Sequence, residues 1–199
     1  MSEELIVRHC APTLAGMKTG NMFVCPYGSA DEMRRAVRQR NRQFAKKGLR
    51  VLPLRFRKNK ALIYIYRPSH LRKDLRSESA KRILSKLGYS AETSEGCIVQ
   101  LIKRMCADEE FPHEIGLFLG YPPEDVRGFM ENGAENCKCV GCWKVYGNVE
   151  PAKRVFALYK KCTAAGNSII HTTDDLPLTF SVRKRKLQVC HGIISLFFP

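Results

Sequence analysis

Between residues 31 and 48 apolar side chains recur at helical spacing. Met33, Val37 and Phe44 mark one stripe, and Arg34, Arg35, Arg38, Arg42 and Lys46 fill the wetter faces. Asp31 and Glu32 suit the positive start of such a helix, and Gly48 suits its end. The pattern then changes. Two runs, 49–56 and 61–66, are rich in β-branched and aromatic residues and are joined by the polar Arg57-Lys58-Asn59-Lys60, which predicts a β-hairpin. Pro53 cannot donate to a ladder, so the first run belongs at a sheet edge or carries a bulge, and Pro68 ends the second. Helical patterns resume over 69–76, 78–87, 94–106, 113–119, 123–131 and 151–165, the last with a proline near its first turn, where a missing N–H costs little. One or two further strands are expected around 143–146 and 179–183. Strands do not alternate with helices, so the expected class is α+β, mostly helical with one β-hairpin or small antiparallel sheet, and not a doubly wound fold.

The chain of 199 residues is 44% hydrophobic, enough for a core. We expect a single compact domain over 1–165 and a divergent tail over 166–199. No run approaches the roughly 18 to 20 apolar residues of a membrane-spanning helix, and the first stretch, MSEELIV, carries acids where an export signal carries positive charge. A soluble, cytoplasmic protein with no membrane partner is the expectation. Nine cysteines are then expected as reduced thiols, an odd number that cannot all pair within one chain. Cys97 and Cys106 fall in an apolar helical pattern and are expected to be buried.

Charge adds a map. Residues 31–86 hold 19 Lys/Arg against the four acids Asp31, Glu32, Asp74 and Glu78, so this segment carries the whole net charge of +15. A surface of this kind attracts anions, nucleic acid among them, although no zinc finger, RRM or KH signature accompanies it.

Three stretches could carry chemistry. In residues 8–23, RHCAPTLAGMKTGNMF, a Cys-Ala-Pro-Thr turn followed by Gly16, Lys18, Thr19 and Gly20 groups a thiol, hydroxyls (Thr13, Thr19) and an ammonium. At a helix N-terminus near Lys18 or His9, the Cys10 thiol would ionise more easily and could act as nucleophile or ligand. The stretch lacks the glycine frame of a phosphate-binding Walker loop. In residues 110–122, a His113-Glu114 pair after Pro112 would sit in the first turn of a helix, where the imidazole could serve as acid, base or ligand. Leu117 excludes the zinc-protease spacing. In residues 133–146, Cys137, Cys139 and Cys142 form C-x-C-x-x-C. With a fourth ligand from Cys162, Cys10 or His113, this could hold zinc or an iron–sulfur cluster; Cys139 and Cys142 could instead form a redox pair. For each stretch the bland alternative is a buried thiol, a capping histidine or ordinary loop cysteines.

The blocks CAPTLAGMKTGNMF, IYIYRP, FPHEIGLFLGYPPEDVRGF, GCWKVYG and FALYKKCT, in that order, resemble a bacterial family of clostridia and related anaerobes known as domain of unknown function 3793. The resemblance covers residues 5–163. The motif positions it implies are Cys10, Pro12, Lys18, His113, Glu114, Asp125, Asn136, Trp143, Lys144 and Tyr146. The family pattern does not require all three clustered cysteines, and it implies no activity. Thiol, amine, imidazole, carboxylate and phenol groups are costly to bury alone, so we expect them to converge on one polar pocket. The leading expectation is a binding protein or enzyme for an anionic small molecule. In it Cys10 would be nucleophile or ligand, His113 and Glu114 acid and base, and Lys18 and Lys144 anion anchors, with Thr13, Trp143 and Tyr146 lining the site. A thiolate metal or redox protein and a nucleic-acid-binding module are the alternatives.

Overall fold

A computed structural model describes residues 1–90, 92–107 and 111–170. In chain order these form α1 (Glu3–Leu14), β1 (Gly20–Pro26), α2 (Ala30–Ala45), β2 (Arg50–Arg57), β3 (Lys60–Tyr66), α3 (Pro68–Leu75) and α4 (Glu78–Lys86). They continue with α5 (Ser94–Ala107), α6 (Ile115–Phe118), α7 (Pro123–Asn132), β4 (Cys139–Val140), β5 (Lys144–Val145) and α8 (Val149–Ile170). The class is α+β, mostly helical, with a small antiparallel sheet.

The uninterrupted apolar run ALIYIY is what a strand covered on both faces needs, and β3 is the middle strand of an antiparallel sheet ordered β1-β3-β2. Lys58 and Asn59, with φ of 45° and 58°, make the turn from β2 to β3, the left-handed pair a two-residue hairpin favours. Pro53 sits on the edge strand at a register shift between Pro53 and Arg55, so both sequence expectations for it are met. Successive β3 side chains point to opposite layers. Leu62, Tyr64 and Tyr66 join Met22, Leu71, Ile83, Leu101 and Phe118 beneath α3 to α6. Ile63 and Ile65 join Phe23, Val51, Ile6, Val37 and Phe44 beneath α1 and α2. On the outer side of α1, Val7 and Ala11 bury Cys162 of α8.

Two polar devices fix this frame. Asn41 of α2 accepts from Val51 N–H and donates to Val51 C=O, both at 2.8 Å, covering the outer edge of β2. The Arg67 guanidinium donates to the carbonyls of Thr13, Leu14 and Lys47, so one cation satisfies the C-terminal ends of α1 and the α2 turn.

Several expectations change. Cys-Ala-Pro-Thr is not a turn but the last stretch of α1. Ser2 caps that helix, Glu3 and Glu4 complement its first turn, and Ile6, Val7, Cys10 and Ala11 give it two buried faces. Pro12 lies inside α1, two residues before its end, and the Met17 and Lys18 N–H groups both return to its carbonyl. Strand β1 begins inside what reads as a chemical motif and runs beyond it. His113 and Glu114 precede the short α6. Cys106 is exposed, unlike buried Cys97. The helix expected over 151–165 runs from Val149 to Ile170. The strand expected at 179–183 lies outside the described residues. Among the described residues no helix is long and apolar enough to cross a membrane.

Candidate functional site

Lys18 enters the interior from the loop between α1 and β1. Gly16, at φ 76°, reverses the chain after the helix, and Lys18 ends only 7% exposed. Its ammonium lies 5.1 Å from the ring centroid of Tyr121, in the loop between α6 and α7, and 5.9 Å from that of Tyr159 in α8. Tyr159 donates to the Met17 carbonyl at 3.3 Å, which ties α8 to the lysine loop. Tyr121 stacks on Trp143 at 5.0 Å and donates its hydroxyl proton to the Cys142 carbonyl at 3.2 Å, while Trp143 meets Phe156 edge-on at 4.5 Å. Thr19, the next residue after the lysine, donates to Asp74 of α3 at 2.5 Å. Gly120 closes this corner. Its φ is 76°, and a Cβ there would lie 2.7 Å from the Thr19 hydroxyl oxygen, so both conformation and space call for glycine.

Electrostatics single out the same place. Among the described residues no carboxylate stands within ion-pair distance of Lys18. Burial brings its ammonium down to about 8, opposed by the Cys142 and Cys10 thiols. Burial raises the Asp74 carboxyl against the Thr19 hydrogen bond and the nearby His70 and Lys73 charges. It likewise raises the Cys142 thiol, against Lys18 and Lys160.

The other expected residues fall elsewhere. Cys10 is fully buried late in α1, and desolvation pushes its thiol far up, with Lys18 opposing only in part. It is near Lys18 but is the reverse of an activated nucleophile, because it lies two turns from the N-terminus of its own helix and out of water. Thr13 is buried and bonds Asn21 at 3.0 Å, joining α1 to β1. Glu114 is locked between Arg104 Nε at 2.7 Å and the Tyr89 hydroxyl at 3.0 Å, and its neighbour His113 points to the surface against Phe129. The two side chains therefore face different surroundings, Glu114 inward and His113 outward. Lys144 bonds the Ala134 carbonyl and sits 5.9 Å from the Phe129 ring, so its partners are not those of Lys18. Tyr146 bonds the Gly133 carbonyl. Among the described residues no group of three His, Cys, Asp or Glu could hold a metal ion. Cys137, Cys139 and Cys142 do not converge, since the β4–β5 hairpin carries Cys139 in a strand and Cys142 at its tip, beside Lys18.

Asp125 sets the position of that hairpin. Its buried carboxylate, in the first turn of α7, accepts from Trp143 Nε1 at 2.7 Å and from the Tyr146 and Gly147 N–H groups at 2.8 Å. Trp143 is thereby held flat against Tyr121.

With this geometry in place, the sequence profile of a family described as protein of unknown function (DUF3793) matches residues 6–177. The chain belongs to the DUF3793 family. No curated protein and no solved structure matches it. Within this DUF3793 chain the motif residues divide by role. Asp125, Trp143 and Tyr146 build the hairpin platform, Glu114 joins α5 to α6, and Lys18 is the buried cation left without a carboxylate among the described residues.

Tyr121, Tyr159 and Asp74 have no signature as site residues in the sequence. Each lies in an ordinary helical or loop pattern and reaches Lys18 or Thr19 only through packing of α3, the α6–α7 loop and α8. The one available signal is the aromatic that follows Gly120.

Proposed function

We propose that this DUF3793 chain binds an anionic small molecule at Lys18, against the ring faces of Tyr121 and Tyr159 and beside Cys142. The observation that carries the reading is a nearly buried ammonium with no carboxylate counterion among the described residues. Such a charge is costly to keep unless something else neutralises it, and an anionic ligand supplies that partner. The rings give an apolar body somewhere to pack, as small-molecule sites require. An amine titrating close to neutrality also has the protonation range of a general acid or base, so turnover of the ligand is compatible with the same site. The reading includes a cytoplasmic setting, where the buried thiols of Cys10, Cys25, Cys97 and Cys162 would stay reduced.

Trp143 is the sole tryptophan and stacks on Tyr121, so its fluorescence reports on the site. Titration with inorganic phosphate, citrate and a nucleoside triphosphate should give a saturable change for at least one. Lys18→Met should abolish it and Cys10→Ala should leave it. Affinity should be flat below pH 8 and fall about tenfold per pH unit above it, because binding then takes up a proton. Saturation unchanged in Lys18→Met would reject the reading.

A further inference from the structure

The excess positive charge of residues 31–86 is laid out as a surface, and its layout is specific. Helix α2 turns Met33, Val37 and Phe44 inward. Arg34, Arg35, Arg38, Arg42 and Lys46 are all exposed. Arg34, Arg38, Arg42 and the C-cap Lys46 recur every fourth residue, forming a ridge that slants across the helix and advances roughly 18 Å along it at a rise of about 1.5 Å per residue. Like charges at this spacing repel and weaken the helix. Only Arg34 in the row has an acidic partner among the described residues, Asp31 at 2.9 Å. The N-terminal end of α2, where Asp31 and Glu32 are exposed, lies next to the β2–β3 hairpin. Tyr27 N–H, just before the helix, donates to the Asn59 carbonyl in the hairpin turn at 3.1 Å. That turn exposes Arg57, Lys58 and Lys60. Beside it the rings of Phe56, 39% exposed, and Tyr27 meet edge-to-face at 5.3 Å.

We propose that the outer face of α2 and the β2–β3 hairpin tip together bind single-stranded nucleic acid. The row of guanidinium groups follows a phosphate backbone, and Phe56 with Tyr27 offers a ring for a base to stack upon. An anionic membrane suits the face less well. A helix lying in a lipid surface inserts its apolar side, and the apolar side of α2 is already in the core. The surface is separate from the Lys18 site and stands whether or not that site takes an anion.

The test is fluorescence anisotropy of labelled 20-nucleotide oligo-dT and oligo-U against the full chain over a range of salt, with vesicles containing phosphatidylserine and a 20-base-pair duplex as competitors. Binding should weaken steeply with salt. The triple variant Arg35→Ala, Arg38→Ala, Arg42→Ala should bind at least tenfold more weakly and lower the log–log salt slope by about 2, at about 0.7 for each phosphate that is no longer neutralised. All three side chains are exposed, so circular dichroism should be unchanged. Phe56→Ala should weaken single-strand binding about tenfold and leave duplex binding alone. Absent binding, a triple variant that binds like the parent, or vesicles that displace the oligonucleotide while duplex and single strand compete equally would each overturn the proposal.

Discussion

Glu114 is 2% exposed, and Arg104 and Tyr89 answer its charge within 3.0 Å. Lys18 is 7% exposed and is surrounded by ring faces and thiols. At the residue scale this contrast separates a paired charge from one with no carboxylate partner among the described residues. Glu114→Ala deletes the buried carboxylate that Arg104 Nε and the Tyr89 hydroxyl both bond, so it should destabilise by about 2 kcal/mol, measurable by urea unfolding. Removing Lys18 should do the opposite. Burial lowers its ammonium from 10.5 to about 8, so the charged form costs the native state roughly 3 kcal/mol at neutral pH, at about 1.4 kcal/mol per pH unit. Lys18→Met, similar in length and apolar, should raise stability by up to that amount while ending ligand binding. For the parent, the native state releases its proton near pH 8 and the unfolded chain near 10.5, so between these values the unfolded state holds more protons. Stability contributed by this group therefore rises with pH across that window and is flat below it. Urea midpoints at pH 7, 9 and 10.5, compared with those of Lys18→Met, isolate the effect; a parent slope identical to the variant's would contradict it.

At the element scale the two-residue strands β4 and β5 are too short to hold a shape alone. Asp125 holds them by giving one carboxylate oxygen to Tyr146 and Gly147 N–H and the other to Trp143 Nε1. Asp125→Asn would set an amide N–H₂ against an N–H donor, leaving at least one donor unsatisfied. A destabilisation of about 2 kcal/mol and a red-shifted Trp143 emission are expected, together with weaker ligand binding, because the ring that supports Tyr121 is released. Asp125→Glu should restore part of each if the effect is positional. The sequence marks Asp125 only as an acid in a helix's first turn; its three donors come from residues 18 to 22 positions later, a distance no local pattern spans.

At the scale of the whole molecule, one strand joins the layers. Ile65 is fully buried on the α1–α2 side, and Tyr64 is fully buried on the other with its hydroxyl on the Phe118 carbonyl. Because β3 belongs to both layers, unfolding of either should carry the other with it. Ile65→Ala should cost about 3 kcal/mol. In parent and variant alike, far-UV circular dichroism and Trp143 fluorescence should report one shared transition, although Trp143 lies outside the core layer that holds Ile65. Separate transitions would show that the layers fold independently.

The amino-acid sequence by itself determined most of the elements and the lopsided charge. Helix periodicity, the hairpin, the edge character of Pro53 and the basic face of α2 all follow from interactions within a few residues. Local patterns also misled where they imitated one another. Cys-Ala-Pro-Thr reads as a turn because proline usually ends a helix, yet burial on two sides of α1 carries the helix through it. The clustered cysteines read as ligands because spacing along the chain resembles proximity, yet a hairpin directs them apart. Only tertiary structure decided which reactive groups are solvated, paired or left alone. That outcome depends on contacts between residues tens of positions apart, such as Lys18 with Tyr121 and Tyr159, and burial created by those contacts is what sets the charge of an amine or a thiol.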